Sequence, residues 1–321
     1  MPEFTFGDRE LGSCQRLVYA SRIATASDAS GGHRVRRTGE GVDFLDYRRY
    51  VAGDDVRRID WTVFARFRQP FIRVLQHETV LHVNLLVDTS RSMDVGETAL
   101  EHAQSSAFRN QRASSTERSA GAGAPRTKAA LACQVACALA YVALSNGDRV
   151  TAATYADQLG PIVSGLRGRR ALPRVVGLLR ETPIGGRTNL SAAVRAFTER
   201  VPHRGLVVIL SDFLDPAGYQ EPLRRLLALN FRVLAVQILD RLDWGEGLGG
   251  TIRLRDSEDR RFADLHVTES MLDEYRRRLR AHAERIDAYC TRRGQYYLYA
   301  DALDPFAKVV ARGLRERGLL R

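Results

Sequence analysis

From residue 83 onward the chain alternates short, continuously apolar runs with longer amphipathic stretches. Mainly aliphatic runs at 83–87, 206–210 and 232–238 predict strands covered on both faces, since a strand with one wet face would alternate apolar and polar residues. Apolar positions recurring every three or four residues predict helices at 128–144, 169–179, 190–200 and 218–229. A strand at 149–155, hairpin character at 251–267, a long helix at 269–293, a strand at 296–299 and a helix at 305–317 complete the series. Strands separated by amphipathic helices predict an α/β fold built on a doubly wound, mostly parallel sheet.

The first part of the chain reads differently. Residues 11–29 have helical character, with Leu17, Val18, Ala20 and Ile23 as apolar positions, and Gly31-Gly32-His33 breaks that helix. Residues 34–82 are short-stranded, rich in Gly, Asp and Arg, and run without a linker into the strand at 83. The expected organisation is an N-terminal helix (1–30), a small β-rich lobe (31–82) and an α/β domain (83–321). The polar, compositionally simple stretch 94–127, with Ser105-Ser106, Ser114-Ser115 and an Ala/Gly run to Pro125, predicts a flexible insertion. It leaves the first strand beside Asp88, so it serves as a cover, a docking tether or an inert spacer.

Composition narrows the function classes. No segment approaches the roughly 20 apolar residues that span a bilayer. The first residues lack the basic start and apolar core of a secretion signal, so a cytoplasmic protein is expected. Cys133 and Cys137 share a helix face, but no histidine or further cysteine pair lies at zinc-site spacing, so Cys14, Cys133, Cys137 and Cys290 read as buried thiols. The net charge of +11 comes almost wholly from arginine, Lys128 and Lys308 being the only lysines. These arginines are spread among acids rather than massed with aromatics, which points away from nucleic acid and toward an acidic protein partner or a membrane face.

The chemistry is concentrated in three segments. Asp88-Thr89-Ser90-Arg91-Ser92 follows the first buried strand, where alternate residues can turn their oxygens to one point at the carboxyl edge of the sheet. Gly185-Gly186-Arg187-Thr188-Asn189 is a glycine-rich turn that puts Thr188 at a loop tip, and Ser211-Asp212 ends a second buried strand. Asp88, Ser90, Ser92, Thr188 and Asp212 form an oxygen-only set of the kind Mg²⁺ accepts, with Mn²⁺ or Ca²⁺ as alternatives. A metal-dependent phosphoesterase using the same aspartates is the competing reading. Against it, hydroxyls stand where a second acid would be wanted, and no lysine lies near the pocket motifs to hold a phosphate. No Walker loop and no Gly-x-Ser-x-Gly elbow is present. A non-enzymatic adaptor is therefore expected, its metal taking an Asp or Glu from a protein ligand.

Asp-x-Ser-x-Ser, the threonine turn and strand-Ser-Asp together resemble the metal-ion-dependent adhesion site of von Willebrand factor A domains, over about residues 83–238. The resemblance implies a von Willebrand A or Rossmann-like fold and metal-ligand roles for Asp88, Ser90, Ser92, Thr188 and Asp212. Upstream, Gly39 to Tyr50, Ala52 to Trp61 and Ala65-Arg66 are similar to the signature of domain-of-unknown-function family 58, von Willebrand A-like proteins associated with MoxR ATPases. That likeness implies a MoxR-type AAA+ ATPase as partner, work in assembly or maturation, and membership of a short soluble branch that meets membranes only through partners. On the residues alone, Gly53-Asp54-Asp55 suits a tight turn, and Arg57 and Arg58 are placed to pair with Asp54, Asp55 or Asp60.

Overall fold

The computed structural model describes residues 4–27, 43–51, 53–76, 80–94, 127–255 and 262–317. The expected insertion at 94–127 lies outside them except at its two ends. The elements are α1 (Asp8–Ser27), β1 (Asp43–Arg49), α2 (Trp61–Phe67), β2 (Phe71–Gln76), β3 (His82–Asp88), α3 (Lys128–Ser145), β4 (Arg149–Tyr155) and β5 (Leu159–Arg167). They continue with α4 (Leu172–Glu181), α5 (Leu190–Arg200), β6 (Leu206–Ser211), α6 (Gln220–Ala228), β7 (Arg232–Leu239), β8 (Gly250–Arg255), β9 (Phe262–Val267), α7 (Glu269–Thr291), β10 (Tyr296–Asp301) and α8 (Phe306–Arg317). Two compact units emerge, residues 26–80 and residues 1–25 with 81–321.

In the smaller unit β1 and β2 pair antiparallel from Asp43 opposite Gln76 to Arg49 opposite Phe71, with a bulge between Phe44 and Asp46. The aspartates of the signature shape the backbone. Asp60 caps α2 by accepting from the Thr62 and Val63 amides, and the Tyr47 hydroxyl also donates to it. Asp55 accepts from the Arg57 amide at 3.0 Å. The ion partner seen for Asp54 is Arg48, at 2.7 Å, a residue the sequence reading did not pair with it. Arg68 closes the helix in the left-handed conformation at φ 55°.

The larger unit is a mixed α/β structure around a six-stranded sheet in the order β10-β7-β6-β3-β4-β5. All neighbours are parallel except the edge pair β4–β5. Leu85 and Val87 join the core that holds α1, α3, α4 and α8, whereas Leu86 joins the core under α5, α6 and α7. Alternation along one strand thus feeds two cores, which is why 83–87 is apolar but for Asn84, whose buried amide donates to the Leu206 carbonyl at 3.2 Å. The edge strand β5 was not foreseen: Gly160, Pro161 and Gly165 read as turn residues, and most of its side chains are partly or fully exposed. β8 and β9 form a separate antiparallel hairpin.

Two expectations from composition meet the packing. All four cysteines are buried and none is in a disulfide, and burial pushes the Cys14 and Cys133 thiols up to about 12. α3 corrects the statement that no segment approaches a membrane span: its 18 residues are long and apolar enough by composition, yet 89% of them are buried inside the fold.

β3 and β6 start close together. Gly205, just before β6, lies so near β3 that a Cβ there would sit 2.2 Å from the His82 carbonyl oxygen and 2.9 Å from the His82 Cβ. Gly205→Ala is expected to destabilise the fold by about 3 kcal/mol, the upper range for forced overpacking. A urea midpoint equal to wild type would contradict this strand spacing.

Candidate functional site

β3 and β6 lie side by side at the middle of the sheet, but the chain leaves them in opposite directions, through α3 to β4 and through α6 to β7. Their carboxyl ends therefore open a crevice at the point where strand order reverses, the usual ligand position in open α/β sheets. Asp88 is the last residue of β3, Ser211 the last of β6, and Asp212 follows at once.

Backbone hydrogen bonds strap the predicted loops together. Gly185 N–H donates to the Thr89 carbonyl at 2.9 Å and Arg91 N–H to the Gly186 carbonyl at 3.2 Å, so the Thr188 turn lies along the Asp88 loop. Asn189 N–H reaches the Ala156 carbonyl at 2.9 Å, and the Leu190 amide donates to Asp215 Oδ2 at 3.0 Å, tying the same turn to the loop after β6. Within the first loop the Ser90 amide donates to Asp88 Oδ1 at 2.9 Å, and the Ser90 and Ser92 hydroxyls are 3.0 Å apart. Asp88, Ser90 and Ser92 are thus brought into one cluster, with Thr188 buried in the adjoining turn.

Asp88 has no exposed surface, and the groups bonded to it are neutral: the Ser90 amide and the Ser211 hydroxyl, the latter at 2.7 Å. Burial, and then the charge of Asp212, push its carboxyl up to about 7. The Tyr155 hydroxyl, at the end of β4, is buried against Asp88 and Ser211 but meets no partner at hydrogen-bonding geometry. Burial, with Asp88 second, holds this phenol far above its ordinary range.

Asp212, by contrast, has a charged partner. The Lys128 ammonium, opening α3, donates to Asp212 Oδ2 at 3.0 Å and pairs with Asp243 Oδ2 at 2.9 Å. This corrects the expectation that no lysine lies near the pocket. Burial alone would lower the Lys128 pKa, but the charges of Asp212 and Asp243 outweigh it and hold the ammonium above the ordinary lysine range. Asp240 completes the group: it accepts from the Asp243 amide through Oδ1, its Oδ2 is buried without a partner, and burial raises its carboxyl. The backbone next to Asp212 is held under strain, Phe213 standing at φ 56° with its ring buried and its carbonyl bonded to His282 Nε2 at 2.9 Å. Gln237 on β7 donates to the Asp212 carbonyl at 2.8 Å and accepts from the Tyr297 hydroxyl at 2.7 Å, which fixes the exit from β6.

Sequence reasoning missed Lys128, Tyr155, Asp240 and Asp243 and gave Ser211 no role. Signals for some existed. Lys128 is one of only two lysines and heads an otherwise apolar helix, so it needs a buried partner. Asp240 follows the third apolar strand just as Asp88 and Asp212 end or follow theirs.

As a metal centre the two halves differ. Asp88, Ser90 and Ser92 offer hard oxygens around a carboxylate bonded only to neutral groups, beside the unsatisfied Tyr155 hydroxyl, and this half fits a divalent ion. The charge of Asp212 is already met by Lys128. Among the described residues no three His, Cys, Asp or Glu side chains are placed to hold a metal, so such an ion would rest largely on the hydroxyls.

Fold and crevice define an α/β protein with a buried carboxylate-and-hydroxyl centre at the strand ends. The chain belongs to the family described as "Protein of unknown function DUF58", whose profile matches residues 46–109 and 110–285. It is 29% identical over 267 residues to an uncharacterized protein of Mycobacterium tuberculosis, covering 82% of this chain and 75% of that one. An uncharacterized protein of Mycobacterium avium is 30% identical over 122 residues, 38% of this chain and 72% of the other. Among solved structures, BatB from Bacteroides thetaiotaomicron aligns at a TM-score of 0.36 and 13% identity, over 74% of this chain and 98% of that chain.

The raised Asp88 carboxyl has a consequence for stability. An unfolded aspartate releases its proton near pH 4, whereas the folded one keeps it to about 7. Its contribution is therefore full at low pH and is lost as pH rises from about 4 to about 7. Melts of chelated protein at about pH 5 and pH 8 are expected to show a smaller fall for Asp88→Asn than for wild type; equal falls would contradict the shift.

Proposed function

We propose that this protein is a non-enzymatic, divalent-metal-dependent adaptor of von Willebrand factor A type, whose Mg²⁺ (or Mn²⁺ or Ca²⁺) bridges to an Asp or Glu of a protein ligand. The observation that carries the reading is Asp88: a fully buried carboxylate, bonded only to neutral donors, set against two serine hydroxyls 3.0 Å apart where two central strands diverge. A divalent cation supplies the missing positive charge. Because most of its other ligands there would be neutral, the ion keeps net positive charge for an incoming carboxylate.

The fold assignment draws support from the order of the three motif segments and the convergence of their loops. The proposal of a MoxR-type AAA+ ATPase as the working partner rests on the resemblance carried by residues 39–66, and assembly or maturation in the cytoplasm follows from that partner. A phosphoesterase would need Asp88 or an activated water to attack in line. Lys128 is engaged by two carboxylates, so it is not free to hold a phosphate. This observation favours the adaptor.

A pull-down from native lysate in Mg²⁺ against chelator tests the reading. A bound partner is expected only with metal, and Ser90→Ala with Ser92→Ala is expected to weaken capture by about 10- to 100-fold, the usual scale for disturbing a metal site. The thermal midpoint should stay within a few degrees of wild type. Capture that persists unchanged in chelator refutes the metal bridge, and phosphate-ester turnover lost in Asp88→Asn would establish the enzyme instead.

A further inference from the structure

This inference deepens the metal reading above and rests on it. A divalent ion bound directly by a carboxylate sits about 2.1 Å from the oxygen. At Asp212 the Lys128 ammonium already stands at that carboxylate, 3.0 Å from Oδ2, and both residues are only 1% exposed. The ammonium is also held by Asp243 at 2.9 Å. Two cations at one carboxylate would repel each other strongly in a buried setting. Asp212 and Asp243 share this ammonium, and Asp240 Oδ2, on the residue that bonds the Asp243 amide, is buried with no partner; Asp88, which feels the charge of Asp212, has only neutral donors. The cluster therefore has capacity for a second cation, on the Asp88 side.

We propose that Lys128 is a built-in cation of the site, keeping the divalent ion off Asp212 and confining it to Asp88, Ser90 and Ser92. Losing one anionic ligand weakens the hold on the ion and leaves it more positive toward an incoming carboxylate. Lys128 thus trades metal affinity for ligand affinity at the same centre. It acts through Asp212 and is a positioning residue. Its place at the first position of α3 fits the role, since the rest of that helix is nearly all buried and apolar.

The test is Mn²⁺ binding to the full chain, read by electron paramagnetic resonance of the free ion and by calorimetry. Lys128→Gln is expected to bind Mn²⁺ at least tenfold more tightly than wild type, because Asp212 is released to ligate. Lys128→Arg, which keeps the charge, should stay close to wild type. The gain should vanish in the double variant Lys128→Gln, Asp212→Asn, which assigns it to Asp212. Should Lys128→Gln fail to fold by its melt, Asp212→Asn in the wild-type background decides: a smaller loss of Mn²⁺ affinity than Ser90→Ala with Ser92→Ala supports the proposal, and an equal or larger loss overturns it. A folded Lys128→Gln that binds Mn²⁺ no better than wild type also overturns it, while leaving the metal site itself intact. Absence of Mn²⁺ binding in every variant removes the metal reading and this inference together.

Discussion

A carboxylate buried without a counter-charge governs the arrangement of the whole upper edge of the sheet. Taking Asp88 out of water costs several kcal/mol unless charge or hydrogen bonds offset it. The fold answers with a hydroxyl from the neighbouring strand end and an amide from its own loop. Those donors are in place only if β3 and β6 run in register and end together, as the pairing of Val87 with Leu210 ensures. The register in turn depends on a glycine at 205, where the strands begin. A polar requirement at one end of the sheet is thus met by a steric permission at the other.

The second carboxylate, Asp212, is handled by a different device. It is neutralised by a lysine that comes from another element and is shared with the loop after β7. Buried ion clusters of this kind are poor evidence for stability in themselves, but removing one partner is costly because it strands the others in low dielectric. The strained Phe213 backbone and the Gln237 clamp hold the Asp212 loop in the conformation that meets the lysine. The two acids that look equivalent as strand-end aspartates therefore have opposite electrostatic surroundings: Asp88 is bonded to neutral groups and Asp212 to a cation.

This difference explains how far the sequence could be read. Continuous apolar runs and helical periodicity revealed the central strands, because both sheet faces are covered and the pattern is local. The edge strand β5 escaped because one side of its pairing is solvent, so glycine, proline and serine are tolerated there. Asp88, Ser90 and Ser92 were legible because their spacing lies within one loop. Lys128 and Asp243 were not, since their meeting is set by the crossover of α3 and the exit of β7, a property of topology rather than of spacing. The motif indicated which oxygens gather but not which of them already had a cation.

The apolar helix α3 links folding to the order in which the chain is made. It sits early in sequence, between β3 and β4, yet it shares its core with Leu234 and Val236 of β7, Leu298 and Ala300 of β10, and Val309 and Val310 of α8. During synthesis Val83, Leu85 and Val87 of β3 precede this helix, whereas the parts of its cover on β7, β10 and α8 follow it. An 18-residue helix with the composition of a membrane span is therefore only partly covered when it is made, and its cover is complete once the strand and helix at 296–317 have joined.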